Sequence, residues 1–356
     1  MKDIAIVIGT RPEIIKMAPI IQLAKKKNTT VIFSGQHYDY DLGIKFFDEL
    51  HLPRPDVKIK LSKNPPAHQM GEIIQKLSKI LIKSKPEIVL VHGDTNTTLA
   101  STIASIKSEI PVGHVESGIR SFDWRMPEEH NRLATDHLAE LLFTPTDLTK
   151  KNLVKDNVHG KIFVTGNTSI DSIRIFEKLA ENRLNLDNYP ENFVLATFHR
   201  MENVDNKTIL TNIVKALIES KLDIIFPIHP RTRKRLKEFG LENRLLKNPK
   251  IKTFGPLGYL DLIFLMKKCS FIITDSGGIQ EEATAPKIRK KVIVVRKTTD
   301  RPESISMRFA DMVGFDSKSI VRALQKISRN PNLPKGNSPF GNGYTSQKIL
   351  KIINNH

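Results

Sequence analysis

The 356 residues include one cysteine, Cys269, which excludes an internal disulfide and leaves no cysteine cluster for structural zinc. The chain also lacks any run near the ~20 consecutive apolar residues that a membrane span needs. Its opening, "MKDIAIVIGTRPE", has neither the basic leader nor the small-residue cleavage site of a signal peptide, and reads as a buried strand entering a glycine turn. Aromatic residues are only 6% of the chain, too sparse for a base-stacking groove. No RNA-recognition, zinc-finger or leucine-zipper pattern is present, and there is no internal repeat or low-complexity tract. These absences point to a cytoplasmic enzyme without a membrane, nucleic-acid or metal requirement.

Acidic residues are in short supply as well. There are 38 Asp and Glu against 56 Lys and Arg, a formal charge of +18. That excess favours an anionic partner, and a phosphorylated metabolite fits without any nucleic-acid motif. Most of it lies in runs such as "AKKKN" (24–28), "RTRKRLKEFG" (231–240) and "KIRKK" (287–291), which read as solvated helix faces or loops.

What is abundant is alternation. Short β-branched runs, "IAIVIG" (4–9), "TVIFSG" (30–35), "EIVLVHGD" (87–94), "IPVGHV" (110–115), "LLFTPT" (141–146) and "KIFVTGN" (161–167), are separated by stretches with apolar residues at helical spacing. Continuous apolar strands between helices predict a parallel sheet covered on both faces. The pattern restarts with "NFVLATFHR" (192–200), "LDIIFPIHP" (222–230), "KIKTFGPL" (250–257), "SFIITDSGG" (270–278) and "KVIVVR" (291–296). The expected fold class is therefore α/β, with two doubly wound Rossmann-like domains facing a cleft. The first spans 1–167 and the second 168–343, with a terminal helix at 344–356 packing back on the first. The polar segment 168–191 is the expected linker.

Three loops at strand ends in the first half carry chemistry. "GTRPEIIK" (9–16) turns at Gly9 and offers Arg11 and Lys16 to phosphate oxygens, Arg11 as a bidentate fork. It is not the dinucleotide fingerprint, because G-x-G-x-x-G is absent. "VLVHGDTNTTLAS" (89–101) ends a strand at Asp94, and "GHVESGIRSFDWRMPEEHNR" (113–132) supplies Glu116 and Glu128. Carboxylates gathered near a diphosphate are costly unless they move protons, since crowding raises the pKa of one and leaves another ionised.

The second half repeats the design with different residues. In "FIITDSGGIQEEA" (271–283), Ser276, Gly277 and Gly278 let the backbone approach a ligand where a helix begins, and the free N–H groups there suit a phosphate. Glu282, one turn in, can accept from ribose hydroxyls. "ATFHRMENVD" (196–205) puts His199 and Arg200 at a strand tip, and "FPIHPRT" (226–232) does the same for His229.

Taken in order, "GTRPEIIKMAP", "VHGDTNTTLA", "GHVESGIRS", "MPEEHNR", "TGNT", "TDSGGIQEE", "TTDRPES" and "SPFGNG" resemble the non-hydrolysing UDP-N-acetylglucosamine 2-epimerases over essentially the whole chain. The resemblance implies the B-type glycosyltransferase fold, a homodimer, no cofactor, a place in polysaccharide biosynthesis and interconversion of UDP-GlcNAc with UDP-ManNAc. It implies elimination of UDP to 2-acetamidoglucal and re-addition after protonation on the other face. Asp94, Glu116, Glu128 and His199 match the family's catalytic positions, without revealing which carboxylate is base and which acid. Arg11, Lys16, Ser276, Gly277, Gly278, Glu282 and Arg301 match its UDP contacts.

Gln36, His37, Arg200 and His229 match a regulatory site for a second UDP-GlcNAc, but Asp39 and Glu72 stand where a glutamine and an arginine are expected. Leu262 replaces an aromatic near the uracil, and the 283–292 loop runs longer and more basic than usual. A hydrolysing epimerase and a UDP-sugar glycosyltransferase of the same fold are the competing readings.

Overall fold

Strands form where β-branched and other apolar residues run without interruption, because a strand buried on both faces has no solvent side to give to polar residues. The computed structural model describes residues 3–24, 28–36, 40–181, 183, 190–330, 333 and 336–356. The chain divides into two compact units, one of Met1–Ser172 with Phe340–His356 and one of Ile173–Pro339.

The first unit holds β1 (Ile4–Ile8), β2 (Thr29–Phe33), β3 (Val57–Lys58), β4 (Ile88–His92), β5 (Val112–Val115), β6 (Leu141–Thr144) and β7 (Lys161–Val164). They pair in parallel in the order β3-β2-β1-β4-β5-β6-β7. The second holds β8 (Val194–Thr197), β9 (Ile224–Pro227), β10 (Ile251–Phe254), β11 (Phe271–Thr274), β12 (Val292–Val295) and β13 (Ala310–Val313). These are also parallel, in the order β10-β9-β8-β11-β12-β13. β3 and β13 escaped the sequence reading. Both are edge strands, and neither carries the continuous apolar run of a central one.

Every residue of β1, β4, β5, β6, β11 and β12 is buried. Each fully buried Ile, Val or Leu side chain stabilises the fold by roughly 1.5–3 kcal/mol. Each unit has its own apolar core: Val7, Val89, Val91, Val112 and Leu142 in the first, Ala196, Phe226, Ile273 and Val295 in the second.

Local chemistry shapes the helices. Pro12 sits in the first turn of the Arg11–Ala24 helix, where a missing N–H costs nothing. Pro19 lies inside that helix and cannot donate to the Ile15 carbonyl. The Ser172 hydroxyl donates to it instead, at 2.7 Å. The Thr345–Asn355 helix starts on Asp171, which accepts from the Thr345 and Ser346 amides at 3.1 and 2.8 Å, while burial raises the pKa of its carboxyl. The helix of the expected linker spans Thr168–Phe176, and residues 184–189 of its polar turn lie outside the described residues.

Cys269, which ends the Tyr259–Lys268 helix, is fully buried, its thiol donating to the Met266 carbonyl at 3.3 Å, and burial pushes its pKa up to about 12. Among the described residues no helix is long and apolar enough to cross a membrane.

Candidate active site

In each sheet the strand order reverses once, between β1 and β4 and between β8 and β11. Ligands of open α/β sheets bind beyond the strand ends at such a reversal. The first is built around Glu13, a carboxylate the sequence reading missed. Glu13 is 2% exposed and accepts from the amides of Gly9 and Thr10 (2.9 and 2.6 Å) and from the hydroxyls of Thr10, Thr95 and Thr98 (2.8, 2.8 and 3.1 Å). It thereby ties the loop after β1 to the helix after β4. Gly9 is obligatory, because a Cβ there would collide with the hydroxyls of Ser34 and Thr97. Arg11 lies half-buried on this loop with its guanidinium over the Phe46 ring, 4.5 Å from the centroid.

Glu116 follows β5 directly. Its φ of +68° is left-handed, a conformation that a non-glycine residue holds only where its surroundings impose it. The imposing contacts are hydrogen bonds from the Glu116 and Ser117 amides to the Phe143 carbonyl, at 3.1 and 3.2 Å. Gly118 completes the turn at φ +80°, where a Cβ would strike the Thr149 backbone. The turn presents the nearly buried Glu116 carboxylate to Lys16 Nζ at 2.5 Å and to the Asn167 side-chain amide at 2.8 Å, both on Oε2. His92 Nε2 stands 3.5 Å from the same oxygen. Three donor-bearing side chains thus converge on a single carboxylate oxygen.

Asp94, two residues beyond β4, is ion-paired with Arg132. Arg132 also meets Glu129 at 3.1 Å. Glu129, 1% exposed, accepts from the Ser121 amide and hydroxyl (3.0 and 2.8 Å) and the Phe122 amide (3.0 Å). Its neighbour Glu128 points away: it is exposed on the first turn of the Pro127–Leu138 helix, with no hydrogen bond or ion pair among the described residues. The structure therefore brings Asp94 and Glu116 to the ends of adjacent strands and leaves Glu128 on the surface. Glu129 is the carboxylate of "PEEHNR" that shapes the loop. His114, on β5 between Asp136 and the Gly93 carbonyl (2.7 and 2.8 Å), braces the strands beneath.

The second reversal is organised by Asp275, which is fully buried. It accepts from the His199 and Arg200 amides at 3.1 Å each and from the Asn203 side chain at 3.1 Å. Burial raises its carboxyl above the ordinary range, against the pull of these donors and of the His199 ring 3.5 Å away. Desolvation lowers the pKa of the His199 ring even though its side chain is 42% exposed, opposed by Asp275 and helped by the Arg200 and Arg296 guanidiniums. The His199 and His229 rings lie 5.6 Å apart.

Ser276 caps the next helix through its hydroxyl. A Cβ on Gly278 would meet nothing closer than 3.9 Å, so packing within the unit does not demand glycine there. A Cβ on Gly277 would lie 3.2 Å from Asp300. Asp300 gathers Arg200 (3.5 Å), Arg296 (2.9 Å) and Arg301 (3.1 Å). Arg301 is largely buried and also ion-paired with Glu281, and Glu282 is buried beside them. Among the described residues no group of three or more His, Cys, Asp or Glu is placed to hold a metal ion.

Residues 21–354 match the family described as UDP-N-acetylglucosamine 2-epimerase. The chain is 41% identical to the UDP-N-acetylglucosamine 2-epimerase of Methanocaldococcus jannaschii over 98% of both chains. It is 32% identical, again over 98% of both, to the UDP-2,3-diacetamido-2,3-dideoxy-D-glucuronate 2-epimerase of Pseudomonas aeruginosa. The crystal structure of the M. jannaschii enzyme in complex with UDP-GlcNAc and UDP is similar with a TM-score of 0.88, at 40% identity over 99% of each chain.

The chain belongs to the UDP-N-acetylglucosamine 2-epimerase family. Its two parallel-sheet domains have the B-type glycosyltransferase-like fold of that family.

The resemblance to this epimerase family also named a regulatory set. Gln36 is buried in the first unit, where its carbonyl oxygen accepts from the Thr97 amide and hydroxyl at 2.7 Å each. Arg200 and His229 are in the second unit, and His229 caps the Pro230–Glu238 helix through Nδ1. His37 and Asp39 lie outside the described residues. Glu72 is held down to about 2 by the Ser62 hydroxyl and by Lys76 at 2.9 Å, so this position carries a full negative charge. The long basic loop at 283–292 is engaged with its own unit. Lys287 pairs with Glu177 (3.1 Å), Arg289 donates to the Gly336 carbonyl (3.0 Å), and Lys291 pairs with Asp311 (2.8 Å).

Proposed function

We propose that this epimerase interconverts UDP-GlcNAc and UDP-ManNAc without hydrolysis, as a cytoplasmic homodimer. The observation that carries the reading is the Glu116 carboxylate, held in a strained turn between Lys16, His92 and Asn167. The C2 proton of such a sugar is poorly acidic, and no adjacent carbonyl can take up the charge. Elimination solves this. A carboxylate removes the C2 proton, its electron pair forms the C1–C2 double bond, and the C1–O bond breaks to release UDP. The intermediate is 2-acetamidoglucal. Protonation of C2 on the opposite face and return of UDP to C1 complete the inversion, with no net change in oxidation state.

Asp94 and Glu116 supply the base and the acid in this scheme, and Glu128, which matches the third catalytic carboxylate of the family, assists them. Arg11 and Lys16 neutralise the departing diphosphate, and Ser276, Gly277 and Gly278 hold it through backbone N–H groups. Glu282 accepts from the ribose, Arg301 orders the nucleotide loop, and His199 serves the reacting sugar. Gln36, His37, Arg200 and His229 form the regulatory site for a second UDP-GlcNAc, weakened here by the charge of Glu72.

The test is incubation with UDP-GlcNAc in D₂O, followed by separation of the products. An equilibrium mixture of the two nucleotide sugars, each with deuterium at C2, supports the reading. Free ManNAc and UDP mark a hydrolysing enzyme, and no turnover without an acceptor marks a transferase. Strong preference for the diacetamido-glucuronate nucleotide named for the Pseudomonas relative would reassign the sugar but keep the chemistry.

A further inference from the structure

Buried polar groups in folded proteins almost always find a hydrogen-bond partner, so each exception calls for a reason. His92 is such an exception. It ends β4, is 3% exposed, and neither ring nitrogen makes a hydrogen bond among the described residues. Its backbone is fully used, the carbonyl accepting from the Thr98 hydroxyl at 2.7 Å. A phenylalanine or leucine would fill the same space without leaving two polar atoms in the core.

Among the described residues the surrounding charged groups are committed elsewhere, with one exception. On the first helix, Glu13 is saturated by amides and hydroxyls. Beyond β4, Asp94 belongs to Arg132, and on β5 His114 is shared by Asp136 and Gly93. The exception is the Glu116 carboxylate, which the ring faces at 3.5 Å and which also takes Lys16 and Asn167. A movement of about 0.5 Å would bring Nε2 to hydrogen-bond distance.

We propose that His92 is a positioning residue for Glu116: its Nε2–H donates to Oε2 and fixes the carboxylate's orientation and charge while protons move at C2. The proposal rests on the reading of Glu116 as an acid–base residue. Lys16 is shared between Glu116 and the anionic leaving group, so its hold on the carboxylate weakens whenever it turns to the diphosphate. His92 carries no such second task, and its donor keeps Oε2 fixed through that exchange.

Two experiments test this, one of them independent of turnover. In protein labelled with ¹⁵N-histidine, the His92 Nε2 signal should show an N–H tautomer and move on Glu116→Gln, while the His114 signals stay in place. In the epimerisation assay, His92→Phe should lower kcat on the order of tenfold with KM within about twofold, the pattern of an interaction made in the transition state. Its acid limb should move to higher pH, because a lost donor favours the protonated carboxyl. His92→Gln, which restores an N–H donor at nearly the same place, should recover most of kcat.

A His92 signal indifferent to Glu116→Gln overturns the proposal, even if His92→Phe fails to fold. So does a His92→Phe enzyme with wild-type kcat and pH profile, or a His92→Gln enzyme as impaired as His92→Phe. If the wild-type protein leaves UDP-GlcNAc unconverted, the activity reading has failed, and the ¹⁵N signals alone decide the role of His92.

Discussion

The two sheets reverse their strand order at equivalent places, and each braces that place with one buried carboxylate. They do so in opposite directions. Glu13 reaches from the helix after β1 to the threonines after β4. Asp275, just beyond β11, reaches back to the His199 and Arg200 amides after β8. The donors differ in kind as well. Glu13 collects amides and hydroxyls, which do not titrate near neutrality. Asp275 collects amides but also stands beside a histidine ring, each with its pKa displaced by burial. One topology has thus produced a brace with partners indifferent to pH and a second whose partner responds to it.

That contrast can be broken at its strongest point first. Glu116→Gln and Glu128→Gln should each fold, bind UDP in a calorimeter about as well as wild type, and lose about 10²-fold or more in turnover. Near-normal epimerisation by both would remove Glu116 and Glu128 from the proton chemistry. Glu128 is the sharper arm, since its exposure alone predicts no effect.

Gly278→Val should weaken UDP binding by well over tenfold, because it displaces a charge-assisted backbone contact worth roughly 1.5–3 kcal/mol. Its melting temperature should not change, given the open space around that residue. Arg301→Ala should weaken UDP too, yet also lower the melting temperature, since Glu281 loses its ion pair. Unaltered UDP affinity in both variants would put the nucleotide elsewhere.

A smaller effect compares the braces directly. Glu13→Gln turns an amide donor towards groups that are already donors and should cost about 1–3 kcal/mol in urea unfolding.

The smallest effect is the pH slope of the second unit. The folded pKa of His199 is lowered, so between that value and the ordinary 6.5 the unfolded chain binds more protons. Stability from this residue is complete above 6.5 and is lost as pH falls through that window. Asp275 works the other way: its raised pKa makes stability rise as pH falls towards 3.8. His199→Asn should therefore flatten the fall in stability between pH 7.5 and 5.5, followed by urea unfolding at each pH. An unchanged slope would mean that the ring is not the responsive partner.

Central strands were legible because burial on both faces leaves only one composition available to them. Two of the four edge strands were missed: Asp311 in β13 and Lys58 in β3 satisfy a strand with one open side. Glu116 and Asp94 could be read from their places just after strands. Glu128 and Glu129 could not be told apart, since adjacent helical positions differ by about 100° and only the fold says which one turns inward. Glu13 was invisible for a related reason. An acidic residue in a first helical turn is ordinary, and its five donors come from segments that the fold alone assembles.

Cys269, fully buried at the end of its helix with its thiol protonated far above neutrality, has a practical consequence. The thiolate is the reactive form, and this one is withheld from reagents at working pH. The native chain is therefore already a silent background for site-specific labelling. Cysteines introduced together at the exposed Trp124 and Met201 would be the two sites that take a maleimide dye or spin label. Distances between the two units, and their change on adding nucleotide, can be followed in such doubly labelled protein without first removing the native sulfur.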